Sequence, residues 1–359
     1  MRLVWGEVTG IDRETPGAQW LAVEFDDGTV GTAVNYPALS GSCARGERVL
    51  LNTTAVQLGL GTGGQHFVIA RGSEPRGVEL DDPSGGHVMK LRYSPLQRDV
   101  VAVESPESPH HAIMAAATGL SGTPVVCCGL HSQVPLVAAA VKTVMPGARV
   151  TYCMIDSAAL ALPLSEVIGA ARTAGLIDAT ISCGQAFGGE FEAVNLHSGL
   201  LAARHVTGAD VVVAGIGPGV VGTATPYGHG GVAQGEALNA VASLEGRPIA
   251  ALRLSFADAR PRHQVVSHHT LTALSRIALT PVMVAVPDLP VEQARVVEDA
   301  LSAAGVWERH QRQNVEMSAL DDIDVRDVRV KTMGRGPEQD PAFFAAAYAA
   351  GIVAARAVS

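Results

Sequence analysis

The sequence predicts an α/β protein: a mostly parallel sheet with helices on both faces, preceded by a small N-terminal β-barrel-like domain. Three observations carry this reading. From about Gly122 onward, continuously apolar runs recur without polar alternation, as in strands buried on both faces. A helical pattern follows each of six such runs, which implies a parallel sheet covered on both sides. Before them, residues 1 to about 72 hold only short strand-like segments.

Those first segments are LVWGEVTGI, WLAVEF, VGTAVNY, RVLLNT and HFVIA, with Asp27-Gly28 supplying a hairpin turn between the second and third. A small closed or nearly closed barrel fits them. Gly59, Gly61, Gly63 and Gly64 lie between two strands with no helix behind them, so they read as turn chemistry and not as a nucleotide loop. The polar stretch RGSEPRGVELDDPSGG then precedes HVMKLRY and DVVAVES, which are additional strands or the lead into the next domain. A chain of 359 residues exceeds what one core usually organises. The expected division is 1–105, barrel with linker, and 106–359, parallel domain.

In the second part PVVCCGL precedes a helix near Pro135 to Val144, and RVTYCMID one near Pro163 to Ala174. ATISCG leads through a loop to a helix near Asn195 to His205, and DVVVAGI to one near Gly231 to Leu244. PIAALRLSF precedes a helix near Ser267 to Ala278, and PVMVAVP one near Val291 to Ala304. A last helix, Pro341 to Ala357, is expected to pack against the sheet.

Composition narrows the function classes. The chain is 47% hydrophobic but only 4% aromatic, rich in glycine and alanine, which suits closely packed helices on a sheet. Its net charge of -9 argues against a general nucleic-acid binder, since phosphate affinity needs dense Lys and Arg. The apolar run Ala342 to Ala355 is shorter than the roughly 20 residues a spanning helix needs. MRLVWGEVTG lacks a basic segment followed by an apolar core, so no secretory signal is expected and the chain reads as cytoplasmic. The five cysteines, Cys43, Cys127, Cys128, Cys153 and Cys183, form no CxxC pair and read as reduced core residues.

In open parallel sheets ligands bind outside the carboxyl ends of the strands, so the residues after each apolar run are the candidates. They include His131, then Asp156, then Gly184, Gln185 and Glu190, then the loop GPGVVGTATPYGHGG, and finally Asp258, Arg260, Arg262 and His263. The loop formally contains a GxGxxG, but the chain stays irregular through Gly231 and no acidic residue follows at dinucleotide spacing. What remains is a set of backbone N–H groups at Gly217, Gly219, Gly222 and Thr223 suited to a phosphate or carboxylate. The alternative is a long loop that uses glycine only to turn.

Ser267 reads as an N-cap, which puts His268 and His269 in the first helical turn. The positive end of the helix dipole disfavours imidazolium there, so at least one is expected neutral and able to donate, accept a proton or bind a metal. The alternative is an ordinary pair, one ring packed and one solvated. His131, Asp156, His229 and His263 all fall on strand-end loops, yet no HxH or HExxH spacing supports a metal, and none is assigned. Glu190 is a candidate general acid or base, with a helix-leading acidic residue as the alternative.

GQAFGGEFEAVN, GPGVVGT and SFADARPRHQVVSHHTLTAL resemble the recurring blocks of a bacterial family, domain of unknown function 3866, over nearly the whole chain. The resemblance implies that these blocks belong together in one kind of protein; it brings no activity.

The residues therefore suggest an enzyme acting on an anionic small molecule by hydrolysis or group transfer. Gly217, Gly219, Gly222 and Thr223 would hold the anion and Arg262 would pair with it, with His131 and Asp156 alongside. His263, His268 or His269 would move a proton, with Asp258 orienting an imidazole and Glu190 as a further acid or base. The competing reading is a non-catalytic module that senses a nucleotide or metabolite; a third has the glycine loops serve only packing. No cofactor is named by the pattern, and the alanine-rich helical surface is compatible with a homodimer.

Overall fold

In the computed structural model, residues 2–59, 63–72, 85–316, 318 and 323–358 are described, and the chain divides into the units Met1–Val101 and Ala102–Ser359. Gly61 and residues 73–84 of the polar stretch lie outside the described residues.

The first unit is a closed barrel of β1 (Leu3–Thr15), β2 (Ala18–Phe25), β3 (Val30–Asn35), β4 (Arg48–Asn52) and β5 (Gln65–Arg71). Its order is β1-β2-β3-β5-β4, with β4 pairing back onto β1. The β3–β5 pair is parallel and the other pairs are antiparallel. Closure depends on β1, which pairs with two neighbours and carries register shifts at Val8/Gly10 and Ile11/Arg13 that bend it. Val8, Leu21, Val23, Ala33, Val49, Leu51 and Val68 fill the interior. Gly28 adopts φ 80° at the β2–β3 turn, a left-handed conformation glycine reaches without a Cβ penalty. A separate antiparallel pair, β6 (Val88–Lys90) and β7 (Arg98–Val100), follows.

The second unit holds an eight-stranded sheet, ordered β11-β10-β9-β12-β8-β13-β16-β17, in which every pairing is parallel. Its strands are β8 (Pro124–Cys128), β9 (Val150–Ile155), β10 (Ala179–Cys183), β11 (Phe191–Ala193), β12 (Val211–Ile216), β13 (Arg247–Ala251), β16 (Met283–Pro287) and β17 (Gln311–Val315). A two-stranded pair, β14 (Leu254–Ser255) and β15 (Val265–Val266), stands beside it. Strands β8, β9, β10 and β12 are buried at every residue, as their unbroken apolar sequences require.

Two strands exceed the six apolar runs, and both lie at sheet edges. Phe191–Ala193 is only three residues, too short for a periodic signal. Gln311–Val315 is polar because an edge strand faces solvent.

The helices are α1 (His111–Ala116), α2 (Gln133–Val144), α3 (Glu166–Thr173), α4 (Leu196–His205), α5 (Val232–Ser243), α6 (His268–Thr272, extended by a π turn over Ala273–Ile277), α7 (Val291–Ala303) and α8 (Pro341–Arg356). Side-chain oxygens cap three of them: Ser165 accepts from Ile168 N, Asn195 from Ser198 N and Ser267 from His269 N, each satisfying a donor the helix cannot. One core packs α2, α3 and α8 against the sheet; the other packs α1, α4, α5, α6 and α7. Strands β8 and β12 are neighbours, yet the chain leaves β8 for α2 on one face and β12 for α5 on the other. A crevice opens where adjacent strands diverge in this way. No helix among the described residues is long and apolar enough to cross a membrane.

Candidate functional site

The glycine-rich loop leaves β12 through a tight approach: a Cβ on Gly217 would enter hard contact with the Ala159 carbonyl. The loop then folds back on itself. Gly222 and His229 form an antiparallel bridge, Thr223 N donates to Gly228 O at 2.8 Å, and Gly230 N donates to Val221 O at 2.9 Å. The N–H groups of Thr223, Gly228 and Gly230 are therefore spent inside the loop, and Thr223 is exposed.

This return brings the loop against the start of α6. Thr272 Oγ1 donates to Pro226 O at 3.2 Å. A Cβ on Gly231 would stand 2.7 Å from His269 Cβ, and one on Gly222 would stand 3.5 Å from His269 Nε2. The missing side chain at Gly231 lets the starts of α5 and α6 touch. Two segments some forty residues apart in sequence thus line one site.

Four imidazoles meet there. His229 and His269 stack with ring centroids 4.0 Å apart and 6° between planes. His268 stands edge-on to both, 5.0 Å from His229 and 4.5 Å from His269. His263 completes the group at 4.9 Å from His269 and 5.2 Å from His268. His229, His263 and His269 are buried and His268 is half-buried.

Burial, reinforced by nearby Arg253 and the neighbouring rings, lowers His269 to about 2 and His263 to about 3, the latter also under Arg260. Burial likewise lowers His229 and His268; in His268 the His229, Arg262 and Arg253 charges add to it. All four are neutral at neutral pH. His229 Nε2–H donates to Pro226 O at 3.1 Å, which fixes the tautomer that leaves Nδ1 bare. His263 Nδ1 bonds Ser267 Oγ at 2.8 Å, and Arg253 Nη1 reaches His269 Nδ1 at 3.4 Å.

Guanidiniums ring this neutral cluster. Asp258, 3% exposed, accepts from Arg260 Nε at 2.9 Å and Nη2 at 2.8 Å, and lies 3.4 Å from Arg335 Nη2 and 3.9 Å from Arg253 Nη2. The Arg260 hydrogen bonds hold its carboxyl well below the usual carboxylate range. Buried Asp340 accepts from Ser255 Oγ at 2.8 Å and Arg335 Nε at 3.0 Å. Three arginines, Arg253, Arg260 and Arg335, face two carboxylates, Asp258 and Asp340. The excess is positive, and desolvation of Arg253 lowers it to about 10.

A family model described as protein of unknown function, DUF3866, matches residues 32–351. The chain belongs to the DUF3866 family. No curated protein and no solved structure matches it.

In this DUF3866 chain the residues singled out from sequence do not all come together. His263, His268, His269, Asp258, Gly222 and the exposed Arg262 come together. Asp258, however, binds arginines instead of orienting an imidazole; its link to His269 runs through Arg253. Gly217 and Gly219 lie at the loop's entry, where Gly217 is fully used by its approach to Ala159.

His131, Asp156 and Glu190 are engaged with other partners. His131 Nδ1–H donates to Ile216 O at 3.1 Å and Ser165 Oγ bonds its Nε2 at 2.5 Å, tying the ends of β8 and β12 to the cap of α3. Asp156 accepts from Gln185 N at 2.8 Å and shapes the turn after β10. Glu190 pairs with Arg172 at 2.8 Å. Its backbone N–H meets Thr180 Oγ1, at the amino end of β10, because the chain turns back before starting the parallel strand β11.

Arg253, Arg335 and Asp340 join the site beyond the residues that the sequence predicts. Arg253 had a signal, a lone charge inside the apolar run AALRLSF. Arg335 and Asp340 had none, since they arrive from the segment before α8.

Proposed function

We propose that the chain is an enzyme acting on a phosphate- or carboxylate-bearing small molecule by hydrolysis or group transfer at the histidine cluster. One observation carries this reading: four neutral imidazoles, the glycine-loop bend and a surplus of guanidinium charge share one place. Arg262, exposed at the edge and within electrostatic reach of His268, meets the anion, since its fork matches carboxylate and phosphate oxygens. His268 and His269 face the reacting group as neutral hydrogen-bonding partners for developing negative charge. Imidazoles as weakly basic as His263 and His269 are poor bases near neutral pH.

The test is a panel of phosphate monoesters and carboxylate esters offered to the purified chain. Turnover of one of them should fall by about 10²–10⁴ in the variant carrying His268→Ala and His269→Ala. Unchanged turnover in that variant contradicts the reading. Thermal stabilisation by an anion with no product at all supports a binding module instead.

A further inference from the structure

We propose that His229, His268 and His269 form a binding site for one divalent transition-metal ion of the zinc class. The proposal builds on the reading of this cluster as the reactive centre, but ion binding is measured without substrate. The three rings offer ligand nitrogens that all lie within 4.8 Å of one another. Two of those nitrogens, His229 Nδ1 and His268 Nε2, are buried and have no hydrogen-bond partner. A buried polar atom left without a partner is destabilising, and a metal ion satisfies both at once.

The surroundings of His229 fit a ligand. Its Nε2–H donates to the Pro226 carbonyl, and metal-ligating histidines fix their tautomer by such a bond from the other ring nitrogen. Neutral imidazole is the ligating form, so uptake of the ion should weaken in acid. The donor set selects the metal: three nitrogens and no carboxylate suit zinc, cobalt, nickel or copper, whereas magnesium and calcium require oxygen. Three protein ligands leave a fourth position open. Arg253 and Arg262 oppose a bare cation but attract an anion to that position, so charge on the ion and charge on its fourth ligand offset.

Ligation requires one movement. Bonds of about 2.0–2.1 Å in a tetrahedral sphere set ligand nitrogens roughly 3.4 Å apart, and the in-plane lone pairs of the stacked His229 and His269 rings cannot converge while parallel. His229 is held by Pro226, so His269 is the ring that turns about Cβ–Cγ. That turn ends the stacking on His229 and the long contact of His269 with Arg253. His263 stays outside the set, its Nδ1 held by Ser267.

The experiment uses the full chain, stripped by a chelator and titrated with Co²⁺ under visible absorption, with Zn²⁺ as competitor. The expected result is one ion per chain, with the intense bands of a tetrahedral nitrogen-donor site. His229→Ala, His268→Ala and His269→Ala should each weaken binding beyond the about 10–100-fold that loss of an outer partner costs. His197→Ala, on an exposed helix residue, should leave it unchanged. Any alanine variant that fails to fold by circular dichroism is replaced by its glutamine counterpart.

A folded wild-type chain that takes up neither ion, or binding that survives all three substitutions, overturns the proposal. Ion binding without any turnover leaves this site standing and counts against the enzyme reading. Turnover by a chain that binds no ion does the reverse.

Discussion

Asp258 is buried against Arg260, Arg335 and Arg253, and truncating it would leave guanidiniums without their counter-charge. Breaking a buried ionic network from one side costs about 3–5 kcal/mol. Asp258→Ala should lower stability by that order in urea denaturation and shift His269 through Arg253. His131 makes a second, pH-dependent contribution. Burial lowers it to about 4, below an unfolded value of about 6.5. The unfolded chain therefore takes up a proton at this ring before the folded chain does. The stability His131 confers is fully present above about pH 6.5, falls as pH drops through that window and levels off below about 4, by up to about 3 kcal/mol. Denaturation midpoints compared at pH 7 and pH 4.5 should fall less for His131→Gln than for wild type. The histidines at the start of α6 were legible because Ser267 announces a cap. The arginine network was not, since no local pattern tells which distant carboxylate a buried Arg253 will meet.

At the scale of elements, close approach explains the glycines. A Cβ on Gly231 would meet His269 Cβ at 2.7 Å, so Gly231→Val should push α6 away from α5 and displace His269. Misplacing a reacting group by an ångström costs about 10²-fold, and that is the expected loss of turnover, with a folded circular dichroism spectrum retained. Gly351 plays the matching role where α8 crosses α2, since a Cβ there would enter hard contact with the Val137 carbonyl. Gly351→Val should destabilise by about 1–3 kcal/mol in a denaturant titration. The core helices were legible to within a few residues, because caps and apolar periodicity mark them locally. Strand β11 carries no signal of its own in the sequence: a three-residue edge strand owes its pairing to β10, not to its own composition.

For the whole molecule, the barrel and the parallel sheet follow from apolar patterning, whereas strand order depends on which face each crossover takes. That order matters to the site: inserting β12 between β9 and β8 puts the glycine loop at the point where α2 and α5 diverge. The interior also sequesters all five thiols, which are free and buried, with burial raising Cys43 to about 12 and Cys127 and Cys128 upward as well, and with Cys153 raised first by its hydrogen bond with Cys183 and then by burial. The native chain should therefore resist a thiol reagent at neutral pH and react at every cysteine once unfolded. Central to the proposed function is that the glycine loop and the start of α6 act as one site. A double-mutant cycle on turnover, pairing Gly222→Val with His269→Ala, tests it most directly. The double variant should lose far less than the product of the two single losses, because each change disables the same centre; losses that simply multiply would show two independent centres.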